Sequence, residues 1–329
     1  MADYINIRGQ SIEVVASDPA NPTVGQIWYN STSNTLKAFN LTTAGVWSTG
    51  GNMNTARSGM GASSAGTASA ALAFGGEPSP TVSEEYNGTS WTSTPSLPTG
   101  VSYPAGAGTT AAALAAGGYR AAPISNVTNI TQEYNGSNWA TVPGTLVLAR
   151  YLFGSCGTQT AAIMAGGAPP TTAAAETYDG TTWTSLPNIN LARSGSGLTG
   201  TSTAALLSGG NNDSPTPPVW DTATELWNGV AWTSVNSMNT ARGNLGYMGT
   251  QTAALIIGGQ TPPGVNNVEE YDGISWAATT NLPTTRLSSS AVGTVSSGVH
   301  FGGSIPPATT ATDIWTGAGT PNTVTITAS

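Results

Sequence analysis

Six times along the chain an apolar run ends in a Gly-Gly pair: Gly75-Gly76, Gly117-Gly118, Gly166-Gly167, Gly209-Gly210, Gly258-Gly259 and Gly302-Gly303. Successive first glycines lie 42, 49, 43, 49 and 44 residues apart. An aromatic residue on a carboxylate or amide follows each pair, and after the first five a Trp comes soon after (Trp91, Trp139, Trp183, Trp232, Trp276, with Trp47 ahead of the series). A period of about 46 residues in a chain of short β-type segments specifies one sheet per repeat, which is how a β-propeller is built. Each sheet then carries its own local core, so 329 residues need not divide into two conventional domains.

Aligned, the repeats read as four strands. The first follows an Arg, and Arg57, Arg150, Arg193, Arg242 and Arg286 hold that position. The second is the run before Gly-Gly. The third carries the aromatic, as in Glu269-Glu270-Tyr271, and the fourth begins at the Trp. Between the third and fourth lie Asn87-Gly88, Asn135-Gly136, Asp179-Gly180, Asn228-Gly229 and Asp272-Gly273, the sequence signal of a tight hairpin that needs positive φ. Repeat boundaries fall near 50–98, 99–147, 148–190, 191–239, 240–283 and 284–329.

Apolar run, Gly-Gly, variable loop, Glu-x-Tyr, short turn, Trp, then Leu-Pro or Met-Asn with Arg together resemble the kelch repeat of β-propellers, including the central domain of galactose-oxidase-like proteins. The resemblance covers about residues 50 to 317. It implies an all-β, kelch-type propeller and says little about activity, since such propellers serve enzymes, adaptors and structural proteins alike. Seven four-stranded blades are favoured. In that arrangement residues 1–24 form an arm with a first strand, 25–329 form the propeller, the stretch from Gln26 to Trp47 supplies a blade without Gly-Gly, and Thr323–Thr327 closes the sixth Gly-Gly sheet. The alternative has six blades, with the strand of Trp47 closing the last one and the N-terminal stretch serving as an anchor.

One repeat breaks two rules at once. Two residues before the third-strand aromatic stand Glu84, Glu176, Glu225, Glu269 and Asp313, but the second repeat has Gln132 there. The same repeat has Val101 where the others have Arg. The joint absence predicts ion pairs within blades: Arg57–Glu84, Arg150–Glu176, Arg193–Glu225, Arg242–Glu269 and Arg286–Asp313. The functional alternative is a ring of arginines binding an anion.

Only 7% of residues are charged and the formal net charge is -8, with eight basic residues in all. Nucleic-acid binding needs basic patches, so it is not expected. No run of about 18 apolar residues offers a membrane span, and the first ten residues do not read as a secretory signal. Cys156 stands alone among small residues and reads as a buried small hydrophobe. A galactose-oxidase-like copper site needs two histidines, whereas this chain has only His300, in a second-strand position that suits a core or channel-lining role. No Cys/His spacing suggests zinc. Tyr178-Asp179-Gly180-Thr181-Thr182-Trp183 is close to a sialidase Asp-box but lacks the residue between Asp and Gly. Recurrent carboxylates such as Glu84-Glu85 and Glu269-Glu270 point to structure. The expectation is a protein that is not an enzyme and uses no metal or cofactor.

The informative variation lies between the second and third strands, where the distance from the second Gly to the aromatic is 10, 16, 11, 17, 12 and 12 residues. The two long loops contain Tyr119-Arg120 and Asn211-Asn212-Asp213 with Trp220-Asp221, and Tyr119, Arg120, Asp213, Trp220 and Asp221 are the candidate ligand-binding residues. Trp220 lies outside the repeat register; it serves either a binding hot spot or the cover of a neighbouring blade edge. Pro169-Pro170, Pro262-Pro263 and Pro306-Pro307 stiffen other loops.

The segment from Asn21 to Thr32 (Asn-Pro-Thr-Val-Gly-Gln-Ile-Trp-Tyr-Asn-Ser-Thr), with Leu36-Lys37, resembles a hairpin of tailed-bacteriophage structural proteins. That resemblance implies a virion component (tail fibre, appendage or capsid decoration) made in a host cytoplasm and released by lysis. Its partners would be other virion proteins and a host surface glycan or receptor, with homo-oligomerisation left open. A lectin-like module is the alternative, and a glycan-processing enzyme comes third.

Overall fold

The computed structural model describes residues 12–19, 26–41, 44–120, 126–212, 219–261, 264–319 and 321–326. Among them there is no helix, and the chain forms two compact units, 47–315 and 1–46 with 316–329. The larger unit is a β-propeller of repeated four-stranded sheets. The first sheet is Gly61–Ala62, Ala71–Phe74, Ser83–Tyr86 and Trp91–Thr94, paired in chain order. Four more follow the same plan, each centred on the apolar run before its Gly-Gly. The sixth combines Ser290–Gly293, Ser297–Phe301 and Thr312–Thr316 with Val46–Thr49, so the strand of Trp47 supplies its fourth member.

Second strands such as Ala254–Ile257 are buried along their whole length, because neighbouring sheets cover both faces. Third strands alternate: Glu269 and Tyr271 are buried and Glu270 is half-buried between them. Each core cluster draws on two adjacent sheets, as when Ile163 and Ala165 pack with Leu198, Leu207 and Trp227.

Three sets of hydrogen bonds link successive sheets. The second glycine of each pair donates its N–H to the carbonyl at the Arg position of the next repeat: Gly76 to Val101, Gly118 to Arg150, Gly167 to Arg193, Gly210 to Arg242, Gly259 to Arg286, and Gly303 back to Arg57. The first glycine is as constrained, for at Gly166 (φ +74) an added Cβ would stand 2.4 Å from the Arg193 carbonyl oxygen. The Gly-Gly signature is therefore the mark of backbone approaching the next blade. In the second set, the indole N–H of the fourth-strand Trp reaches the first residue of the preceding sheet's third strand. Trp91 bonds Thr312 (3.0 Å), Trp139 Ser83 (3.4 Å), Trp183 Thr131 (2.9 Å) and Trp276 Thr224 (3.1 Å). The third set is an inner ring, described with the site below.

The favoured seven-blade reading is corrected on topology. Pro321–Ile326 pairs with Thr35–Leu41, not with the sixth Gly-Gly sheet. Thr35–Leu41 also pairs with Ile27–Asn30, which runs parallel to Glu13–Val15. These four strands form the sheet of the smaller unit, where Asp18 accepts hydrogen bonds from Trp28, Asn30 and Lys37. The division of the chain thus falls at Trp47 and Trp315 and not at residue 25. Of the arm expected at residues 1–24, residues 1–11 and 20–24 lie outside the described residues, and its first strand is Glu13–Val15.

Candidate functional site

At the start of each first strand one residue adopts left-handed backbone: Gly59 (φ 61), Tyr103 (φ 53), Leu152 (φ 56), Gly195 (φ 65), Asn244 (φ 53) and Ser288 (φ 52). Their backbones join head to tail at five of the six steps, with no such bond between Tyr103 and Leu152. Tyr103 N–H donates to Gly59, Gly195 to Leu152, Asn244 to Gly195, Ser288 to Asn244, and Gly59 to Ser288, at 2.7–2.8 Å. This ring rims the mouth of the central channel. Around it, antiparallel bridges tie the residue after each Arg position to the residue after each Gly-Gly: Ser58 to Glu77, Ser102 to Tyr119, Tyr151 to Ala168, Ser194 to Asn211, Gly243 to Gln260 and Leu287 to Ser304. The loops between second and third strands therefore stand on the same face as the mouth.

The two longest of those loops each form a two-stranded ribbon, Tyr119–Arg120 with Asn126–Val127 and Asn211–Asn212 with Val219–Trp220. Tyr119 joins a cluster that the sequence reading did not anticipate. Its ring centroid is 6.0 Å from that of Tyr151, which is 6.2 Å from that of Tyr103. All three rings are half-buried. Burial first, and then the exposed carboxylate of Glu77, raise the phenol pKa of Tyr103 above its ordinary value. Arg120 is half-buried beside Tyr119 and, among the described residues, is the one basic side chain of the propeller without a carboxylate within 4.0 Å.

Trp220 lies on bare backbone of the next repeat: a Cβ at Gly243 would meet its Cζ3 at 2.6 Å. It covers a blade edge and does not touch the tyrosine cluster. Its indole nitrogen is buried with no hydrogen-bond partner among the described residues. Asp221 accepts a hydrogen bond from the Ala223 N–H (2.6 Å) and its charge favours the Arg193 cation, so its carboxylate is engaged inside the protein. Asp213 lies outside the described residues, as do Pro262 and Pro263. Tyr103 and Tyr151 have one sequence signal, their offset of one or two residues from the Arg position, shared with no other aromatic.

Below the mouth, five basic residues are fully buried and each faces its carboxylate. Arg57 Nη2 is 3.0 Å from Glu84, Arg193 Nη2 is 2.8 Å from Glu225 and Arg242 Nη1 is 2.6 Å from Glu269, while Arg150 pairs with Glu176 and Arg286 with Asp313. Burial lowers each guanidinium pKa, and the paired glutamate opposes that at Arg57, Arg150, Arg193 and Arg242; Arg286 is brought down to about 10. The glutamates also bind backbone N–H groups of the preceding loop, as Glu225 does from Asn190 (2.7 Å) and Leu191 (3.3 Å). In the second repeat Gln132 clasps the same loop through Thr99, accepting from its N–H (2.8 Å) and donating to its carbonyl (3.1 Å), with Val101 buried where Arg would be. These arginines hold loops and do not present their charge to an anion.

The mouth leads to a cavity of about 80 Å³. Its lining includes Tyr103, Leu152, Asn244 and Ser288 of the ring, with Ser64, Ser196 and Tyr247 also on its wall, and no Asp, Glu, Lys, Arg or His. His300 stands behind this wall, fully buried, its Nε2 2.7 Å from Ser289 Oγ. Desolvation, and then the Arg286 cation, hold its pKa well below 6.5. Cys156 is buried, and burial pushes its thiol pKa up. Among the described residues no three His, Cys, Asp or Glu side chains converge as a metal site.

No protein-family model matches the chain, and no curated protein matches it. Among solved structures, one described as "Structure of YjhT" superposes with a TM-score of 0.70 at 10% identity, over 84% of this chain and 99% of that one. At that identity the likeness concerns the fold alone, and it agrees with a propeller of repeated four-stranded sheets.

Proposed function

We propose that this chain is a non-enzymatic structural protein of a virion, a tail-fibre, appendage or capsid-decoration component whose kelch-type propeller offers its Gly-Gly face for contact. The observation that carries the reading is the hairpin of Ile27–Asn30 with Thr35–Leu41, in a compact unit of its own, whose sequence resembles phage structural proteins. A small unit for attachment and a propeller for display is a division of labour such a protein needs. The kelch assignment is supported by the recurrence of Gly-Gly, Glu-x-Tyr and Trp in register. On the propeller, the ribbons carrying Tyr119-Arg120 and Trp220 stand on one face, where subunits or a host surface would meet it.

The test is peptide mass spectrometry on gradient-purified particles from a lysate containing the protein. Recovery at fixed stoichiometry with a major capsid or tail protein is the expected result. Finding the protein free in the soluble fraction, with none in the particles, would overturn the assignment.

A further inference from the structure

We propose that the channel cavity under Tyr103 binds an uncharged, polyhydroxylated ligand, a saccharide or polyol. This goes beyond the virion assignment and stands without it, because it rests only on the cavity.

The lining excludes charge. With no ionised side chain on its wall, an anion or cation entering the cavity would lose hydration without gaining a partner. The wall is nevertheless polar. Ser196 is 5% exposed, and its hydroxyl and that of Ser64 are buried without a hydrogen-bond partner among the described residues. A buried hydroxyl left unpaired destabilises the fold, a cost that a ligand hydroxyl would offset. Asn244, whose Nδ2 donates to Gln260 Oε1 (3.1 Å), adds an amide at the rim.

Tyr103 is the second sign. Its left-handed φ of 53° is unfavourable for a bulky side chain, and glycine holds the same place at Gly59 and Gly195. The ring nonetheless lies across the neighbouring Gly59, where a Cβ would meet its Cε1 at 2.5 Å. With Tyr151 and Tyr119 it forms an aromatic ledge at the mouth. Such a ledge suits the C–H face of a sugar ring, while hydroxyls bond below.

The experiment is calorimetric titration of the full chain with glucose, galactose, N-acetylglucosamine and myo-inositol, beside glucuronic acid and N-acetylneuraminic acid as charged counterparts. At least one neutral probe should bind saturably and about tenfold or more tighter than either acid; a pyranose or the cyclitol leading the series separates saccharide from polyol. Ser196→Ala should weaken that binding about fivefold or more while leaving the unfolding midpoint unchanged or raised, since it deletes an unpaired hydroxyl. Tyr103→Gly, which restores the residue used at positions 59 and 195, should abolish it. No saturable neutral ligand, an acid binding as tightly, or undiminished affinity in both variants would each overturn the proposal.

Discussion

Converting the fourth repeat into the second tests the account of the buried ion pairs. Arg193 is fully buried, donating to Glu225 (2.8 Å) and to the Ala223 carbonyl (2.8 Å), and Glu225 also holds the Asn190 N–H. Glu225→Gln leaves a buried guanidinium with one carbonyl; Arg193→Val leaves a buried carboxylate. Removing one partner of such a pair costs roughly 3–5 kcal/mol, so independent effects would sum to about 6–10 kcal/mol. The double variant recreates the pattern of Val101 with Gln132, whose amide keeps the loop clasp through Thr99. It should cost only about 1–2 kcal/mol, for the smaller side chain in the same space. Equilibrium urea unfolding of the four proteins gives the cycle, and thermal midpoints should follow at roughly 2 °C per kcal/mol for a unit of this length. A coupling energy of about 3 kcal/mol or more is expected. Additivity within about 0.5 kcal/mol would refute the reasoning, because charge and loop clasp would then be independent.

Three further outcomes follow from the inter-sheet contacts. Trp232 has Ala175 at the position where Trp91, Trp139, Trp183 and Trp276 find a hydroxyl, and its buried Nε1 has no partner among the described residues; Ala175→Thr should raise stability by about 1 kcal/mol in urea unfolding, and a loss would show that the site has no room for the hydroxyl. Gly166→Ala puts a Cβ 2.4 Å from the Arg193 carbonyl at φ +74 and should destabilise by about 2 kcal/mol or more, where a neutral result would deny the tight blade contact. His300 stays neutral in the fold with a pKa well below 6.5, so only the unfolded chain takes up its proton as pH falls. Stability is therefore fully present above about pH 6.5 and declines below it by up to about 1.4 kcal/mol per pH unit; His300→Asn should flatten the slope between about pH 6.5 and 5.5, and an unchanged slope would assign it to other groups.

The parts of the fold that recur were legible because repetition separates a rule from its exceptions. Gln132 and Val101 departing together located a buried interaction that neither residue shows alone. The channel mouth was less legible. Its ring is made by backbone at positions held by Gly, Tyr, Leu, Gly, Asn and Ser, residues with nothing in common except left-handed φ. Loop length pointed to the correct face, and Tyr119 and Arg120 are on it. Yet Trp220, the most conspicuous residue in those loops, is spent on covering Gly243, while Tyr103 and Tyr151 reach the mouth from the short turns after the Arg position.

Blade number shows how a contact rule outweighs a strand count. The N-terminal stretch offers strands of the right length, and counting strands alone admits a seventh blade. A blade, however, must donate a backbone N–H to the Arg-position carbonyl of the next, and glycine is what allows that approach. Residues 26–41 contain neither a glycine pair nor an Arg, so they have no means of entering that ring. Trp47 does have one, since it lies in a fourth strand, Val46–Thr49, as the five Trp that follow lie in theirs. Its indole packs against Trp315 at 4.8 Å and donates to the Thr280 carbonyl at 2.9 Å, joining the start of the propeller's chain to its fifth and sixth sheets. Closing the ring with an N-terminal strand secures the last sheet by hydrogen bonds to sequence more than 230 residues away, so the final blade cannot fray without breaking contacts at the first. Trp47→Ala should accordingly expose the amides of Thr312–Thr316 to hydrogen exchange ahead of every other third strand; uniform exchange across the six would show that the clasp contributes nothing.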